Sequence, residues 1–176
     1  MLNRVRDLAL SSHPGPTVAV TLLSGLLAAS LGYPIARILV IALAILLGQL
    51  SIGFSNDWID AGRDAASGRS DKPVAQGLVP LTLVRRAALS TLVVALAVSI
   101  ALGPTAAVAH AILIASGWAY NLGLKRTPLS VLPFIVSFWI LPGVITFAGQ
   151  EGVPPAAWAG ARGLACAARA RTAQAS

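Results

Sequence analysis

Apolar residues run in long blocks along this chain, and the polar ones collect in short stretches between them. Five blocks can be drawn, over about residues 14–31, 35–58, 83–102, 104–122 and 129–148. Crossing a hydrocarbon core takes about 20 residues of helix. Each block therefore predicts a membrane span, the first so short that its flanks must contribute. Gly32-Tyr33-Pro34 and Gly103-Pro104 mark turns, because glycine and proline are the strongest local breakers of helix. Ala61 to Pro80 contains Gly62, Gly68, Pro73 and Gly77 and is expected to be a polar connection without continuous helix. Pro133 and Pro142 interrupt the last block, which membrane helices tolerate where neighbours serve the freed carbonyls. The expected architecture is all-α, a multi-pass bundle of about five transmembrane helices.

Composition agrees. Of 176 residues, 56% are hydrophobic and 11% charged, against about 25% charged in soluble domains. The length suits one domain. The net charge of +7 does not point to nucleic acid, since the basic residues sit in particular loops rather than on one stacking, basic face. With the N-terminus in the cytoplasm, Arg4, Arg6, Arg63, Arg69, Lys72, Arg85, Arg86, Lys125 and Arg126 fall inside, and only Arg37 outside before the tail. That is the positive-inside bias. Arg37 is read as snorkelling at the start of the second span. Met1 to Leu10 reads as a basic lead into an uncleaved first helix. The single cysteine, Cys166, allows no internal disulfide and reads as a small apolar residue.

The chemistry concentrates in Asn56-Asp57-Trp58-Ile59-Asp60-Ala61-Gly62-Arg63-Asp64, directly after an apolar run. At about 100° per residue, Asn56, Asp57, Asp60 and Asp64 share one arc of a helix, with Trp58 and Ile59 pointing elsewhere. Acids at a helix C-terminal end oppose the macrodipole and repel one another. Mg²⁺, held by carboxylates and by substrate phosphate oxygens, removes both penalties. The plainer reading pairs these acids with Arg63, Arg69 and Lys72. Elsewhere, His13 reads as an interfacial histidine beside a turn, with contact to a ligand headgroup as the alternative. Gln49 and Ser51 read as bonds to neighbouring helices or as lining a cavity, and His110 as an interhelical hydrogen bond, with a substrate contact as the alternative. Tyr120, Lys125 and Arg126 read as an aromatic and basic anchor.

The pattern NDxxDxxxD over Asn56–Asp64, followed by Arg69-Ser70-Asp71-Lys72-Pro73, resembles the first aspartate-rich motif of the UbiA-type intramembrane prenyltransferases, of which the 4-hydroxybenzoate polyprenyltransferases are examples. The resemblance implies Mg²⁺-dependent transfer of a prenyl group from an isoprenoid diphosphate to a small acceptor, aromatic by analogy, inside the bilayer. It assigns Asn56, Asp57, Asp60 and Asp64 to metal and diphosphate. It assigns Arg63, Arg69, Asp71 and Lys72 to the polar mouth of the site. Tyr120 and Lys125 match a tyrosine–lysine pair of the family, at a spacing of five where the family often has four. No nucleophile from the protein is implied. Two other readings remain: a polyprenyl-phosphate phosphoribosyltransferase-like enzyme, and a non-catalytic small membrane protein.

The motif resemblance covers about Ser12 to Gly149. Residues 1–152 are accordingly expected to be the N-terminal part of a prenyltransferase domain, an incomplete bundle in the cell membrane. Its aspartate loop and N-terminus would be cytoplasmic. Residues 153–176, rich in alanine and arginine, are expected to be a disordered or out-of-frame tail. After Asp71 the only acid is Glu151, so the second aspartate-rich loop of the family has no counterpart. A truncated, inactive chain is expected, completed by self-association or by a missing C-terminal half.

Overall fold

The computed structural model describes residues 2–149. Among them are six α-helices and no strand: α1 Leu2–Leu10, α2 Pro14–Ser30, α3 Ile35–Ala66, α4 Leu81–Ile100, α5 Pro104–Leu122 and α6 Leu132–Phe147, with a 3₁₀ turn at Leu124–Arg126. The tail expected over 153–176 lies outside the described residues.

Local chemistry sets the helix limits. Pro14 and Pro104 open α2 and α5, where a missing N–H costs nothing. The C-terminal end of α3 is a Schellman motif. Gly68 is left-handed (φ 65°); its N–H donates to Ala65 O at 3.1 Å, and Arg69 N–H donates to Asp64 O at 3.0 Å. The same arrangement ends α2 at Gly32 (φ 74°), with Gly32 and Tyr33 bonding back to Ala29 and Ala28. Helix α3 thus continues through Gly62 to Ala66, further than the expected polar connection allowed. Gly62 is exposed and keeps an ordinary helical backbone, which costs about 1 kcal/mol relative to alanine and is not a break. The expected basic lead is also helical, as α1.

Helix α3 is the centre. It packs against α2, α4 and α5, while α6 packs on α5 and touches α2. Ile41, Ala44 and Ile45 of α3 meet Ala106, Ala109, Leu113, Val144 and Ile145 in the main core. A smaller cluster of Phe54, Val74, Val79, Val84 and Ala88 lies under the polar connection. Large apolar side chains point outward from every face: Leu26, Leu39, Ile100 and Trp139 are each more than half exposed. An aqueous surface would not leave so many uncovered; hydrocarbon does. Helices α3 and α4 are long and apolar enough to cross a bilayer, and α2 and α6 are shorter apolar helices.

Polar groups join the helices. Ser51 donates to Ala88 O on α4 at 3.0 Å and accepts from Trp118 Nε1 on α5 at 3.0 Å. Asn121 reaches Ile52 O at 2.9 Å and Ser55 Oγ at 2.8 Å. Ser99 donates to Ala95 O at 2.7 Å, so it accepts from His110 Nδ1, 2.6 Å away. This is the interhelical bond expected of that histidine. The other side of the His110 ring lies against Gly48, where an added Cβ would stand 2.6 Å from Nε2. Only glycine lets α3 and α5 approach there.

Arg37 does more than snorkel. It donates through Nη1 to Ala101 O at 2.8 Å, through Nη2 to Leu102 O at 3.1 Å, and through Nε to Ala148 O. These carbonyls end α4 and α6, where a cation is favoured by the helix dipole. The Tyr33 hydroxyl donates into the same region, to Ile145 O or Thr146 O, each at 3.2 Å.

A buried acid cluster closed by lysines

At the other end of the bundle, the arc of α3 predicted from spacing faces inward. Asp57 and Asp60 are 2% exposed and Asp64 4%. Three carboxylates this deep require partners, because an unpaired buried charge is prohibitively costly. Most of the partners come from segments distant in sequence. The polar connection folds back from Gly68 and carries Lys72 over the cluster, where its ammonium lies 2.9 Å from Asp57 Oδ1 and 3.0 Å from Asp64 Oδ2. The turn after α5 brings Lys125, which donates to Asn56 Oδ1 at 3.0 Å and to Asp60 Oδ2. Arg63, one turn along α3, adds a contact of 2.9 Å to Asp60 Oδ2. Burial works against the Lys72 ammonium, but hydrogen bonds and charge from Asp57 and Asp64 outweigh it and raise the lysine's pKa.

The corner between α1 and α2 supplies a further partner. His13 Nε2 lies 3.0 Å from Asp57 Oδ1 and 3.1 Å from Asn56 Nδ2. The structure adds a partner to the histidine beside the turn: it reaches 44 residues along the chain into the acid cluster. No local pattern could have paired positions 13 and 57. Arg126, also missed as a partner, stands 3.8 Å from Asp60 Oδ1.

The other residues singled out by sequence sit around this cluster. Arg69 and Asp71 pair with each other, through bonds of 2.7 and 2.6 Å on an exposed surface, and do not touch the buried acids. The bond from Arg69 depresses the Asp71 carboxyl to a pKa of about 2. Tyr120 packs edge-on against Phe134 with centroids 5.0 Å apart, and Lys125 Nζ lies 5.9 Å from its ring. Trp58 leaves the acid arc, as expected, to meet Trp118 edge-on and to carry the Arg85 guanidinium over its ring at 5.3 Å. An apolar groove of about 300 Å³ between α5 and α6 runs from Thr105 to Phe147, away from the acids.

The donor chemistry suits a hard divalent cation: carboxylate and amide oxygens, with no sulfur. Asp60 Oδ1 is buried without a hydrogen-bond partner. Among the described residues, no three acidic or histidine side chains converge into a metal-ligating group. Lys72 and Lys125 stand between them and carry the neutralising charge. The cluster fits Mg²⁺ in composition, and in this structure Lys72 bridges Asp57 and Asp64 while Lys125 pairs with Asp60.

The chain matches the model of the UbiA prenyltransferase family over residues 18–171 and belongs to that family. Members of the family are integral membrane proteins with prenyltransferase activity, which sets the general class of this chain as a membrane transferase. The match continues past Gly149, where the resemblance read from motifs stops. No curated protein and no solved structure matches the chain.

Proposed function

We propose that the acid cluster is a Mg²⁺-diphosphate site that serves transfer of a prenyl group from an isoprenoid diphosphate to a small acceptor, aromatic by family resemblance. The observation that carries this is the burial of Asp57, Asp60 and Asp64 on one face of α3 beneath Lys72 and Lys125. A structural ion-pair network has little need of so many desolvated charges, since buried pairs are weak stabilisers. A site for a trianionic diphosphate ester and its metal needs both signs together.

Asn56, Asp57, Asp60 and Asp64 would hold Mg²⁺, which when bound supplies positive charge for the departing diphosphate. Lys72, Lys125 and Arg63 then face the phosphate oxygens with donors already in place, and such preorganised charge stabilises a leaving group as it develops. A reactive allylic centre beside the diphosphate would need apolar surroundings that exclude water. Arg69 and Asp71 form the outer rim. The acceptor attacks the allylic carbon, and no covalent intermediate with the protein is needed.

Purified chain should bind labelled farnesyl diphosphate in Mg²⁺ and lose it in excess chelator. Asp60→Asn and Asp64→Asn should each weaken that binding by about 1–3 kcal/mol, the range for charged contacts. Binding unchanged in both variants sinks the assignment. The basic residues at the acid end further support a cytoplasmic orientation. Cysteines introduced at Ser67 and Thr127 are expected to react with an impermeant reagent added from the cytoplasmic side, and one at Gly32 from the other. Reaction at 67 and 127 from outside would reverse the orientation.

A further inference from the structure

Five glycines among the described residues have positive φ: Gly32, Gly68, Gly77, Gly103 and Gly123. One other described residue shares that conformation. His13 stands at φ 54° and ψ 65°, left-handed, immediately before α2. A Cβ makes this conformation unfavourable, and glycine is the residue that relieves it. At the other positive-φ positions among the described residues, the chain uses glycine. At position 13 it keeps a large side chain, and that side chain ends on Asn56 and Asp57. Strain retained in this way points to use of the side chain.

The corner that carries His13 is built rigidly. Ser12 is buried. Its carbonyl accepts from Thr17 Oγ1 at 3.0 Å, and its own hydroxyl donates to Ala9 O at 2.6 Å. The corner is pressed so closely on α3 that a Cβ at Gly53 would lie 2.2 Å from Ser12 O. The imidazole is thereby delivered from a fixed base one turn beyond Gly53.

What it does there follows from hydrogen-bond inventory. Lys125 donates to Asn56 Oδ1, which leaves Asn56 Nδ2 as the atom turned to His13. One ring nitrogen cannot donate to a carboxylate and accept from an amide at once. Asp57 Oδ1 already receives Lys72 at 2.9 Å. The histidine thus has two possible partners and holds one at a time. With Asp57 turned to a bound ligand, the other tautomer still fixes Asn56.

We propose that His13 is a positioning residue of the acid cluster, which sets Asn56 and Asp57 for the metal-diphosphate ligand. This rests on the function proposed above. His13→Gly separates the two roles of the residue, because it relaxes the backbone while removing the ring. It should weaken Mg²⁺-dependent farnesyl diphosphate binding roughly tenfold or more, the effect of losing one bond to a charged group, with a melting temperature at or above wild type. His13→Gln, whose amide reaches the position of Nε2, should keep most of the binding. Binding of His13→Gly within twofold of wild type overturns the proposal. So does a loss of binding matched in both variants by a fall in melting temperature, which would make the ring a strut and nothing more. Asp60→Asn is the reference. If wild type itself shows no Mg²⁺-dependent binding, the diphosphate reading falls and His13 with it. If wild type binds, Asp60→Asn does not, and His13→Gly matches wild type, the role of His13 alone is wrong.

Discussion

Lys72→Met is expected to cost about 3–5 kcal/mol of stability, the range for removing one partner of a buried ion pair. Lys72 is 8% exposed and bridges two carboxylates that are 2% and 4% exposed. Methionine keeps the apolar stem and deletes only the charge. Asp57 is then left with His13 at 3.0 Å, and Asp64 with Arg63 at 3.9 Å. A drop in the melting temperature of detergent-solubilised protein measures the loss. Adding Asp64→Asn to Lys72→Met should recover part of it, because one of the two stranded charges is gone. Millimolar Mg²⁺ should stabilise Lys72→Met more than wild type, since a cation then enters where the ammonium stood. The sign with pH follows from the raised lysine pKa. Stabilisation is complete below the lysine's ordinary pKa of about 10.4 and is lost as pH climbs through the higher folded value, so pH 6 to 9 should leave the pair intact. A melting temperature for Lys72→Met equal to wild type would show that the lysine does not hold the cluster together.

Gly53→Ala should be the most damaging small substitution. The new methyl would sit 2.2 Å from Ser12 O and 2.6 Å from Ser12 C. Backbone cannot rotate aside as a side chain can, so the corner must lift off α3. Overpacking of this kind costs about 1–3 kcal/mol or more. The shift also withdraws His13, so affinity for the Mg²⁺-diphosphate should fall along with thermal stability. Gly48→Ala offers the contrast. Its clash is with the His110 ring and Ile114, far from the acids, so stability should fall while affinity for the diphosphate stays. Equal affinity in Gly53→Ala and wild type would disconnect the corner from the site.

The amino-acid order foretold the bundle because long apolar blocks leave few alternatives to helices in a bilayer. It also foretold the acid arc, since the angular position of Asn56, Asp57, Asp60 and Asp64 depends only on α3 being helical. Ser51 and His110 were readable for a similar reason, as polar groups inside apolar helices must find a neighbour. What failed was pairing across the fold. Arg63, Arg69 and Lys72 all looked like partners for the acids, being the basic residues in and after the motif. The Schellman turn at Gly68 directs Lys72 inward and leaves Arg69 with Asp71. Arg126 and His13 reach the cluster through helix packing, for which spacing carries no signal, and Lys125 was named only through the family resemblance. Arg37 looked like an ordinary interfacial arginine because its acceptors are backbone carbonyls, which every residue has.

Helix α3 has 32 residues and is roughly 48 Å long at about 1.5 Å per residue. The hydrocarbon of a bilayer is about 30 Å thick. With Ile35 at one surface, the helix emerges from the oil near Ser55, and the first residues beyond it, Asn56, Asp57 and Asp60, stand near the depth of lipid phosphates. An amphiphile with an ionic head and a long apolar tail settles in a membrane at that same level. Such a donor would need neither to be lifted out of the bilayer nor to drag its charge into it. Magnesium could come from water without crossing any oil. The extra length of one helix thus sets the acid cluster at the depth where a membrane already holds molecules of this shape.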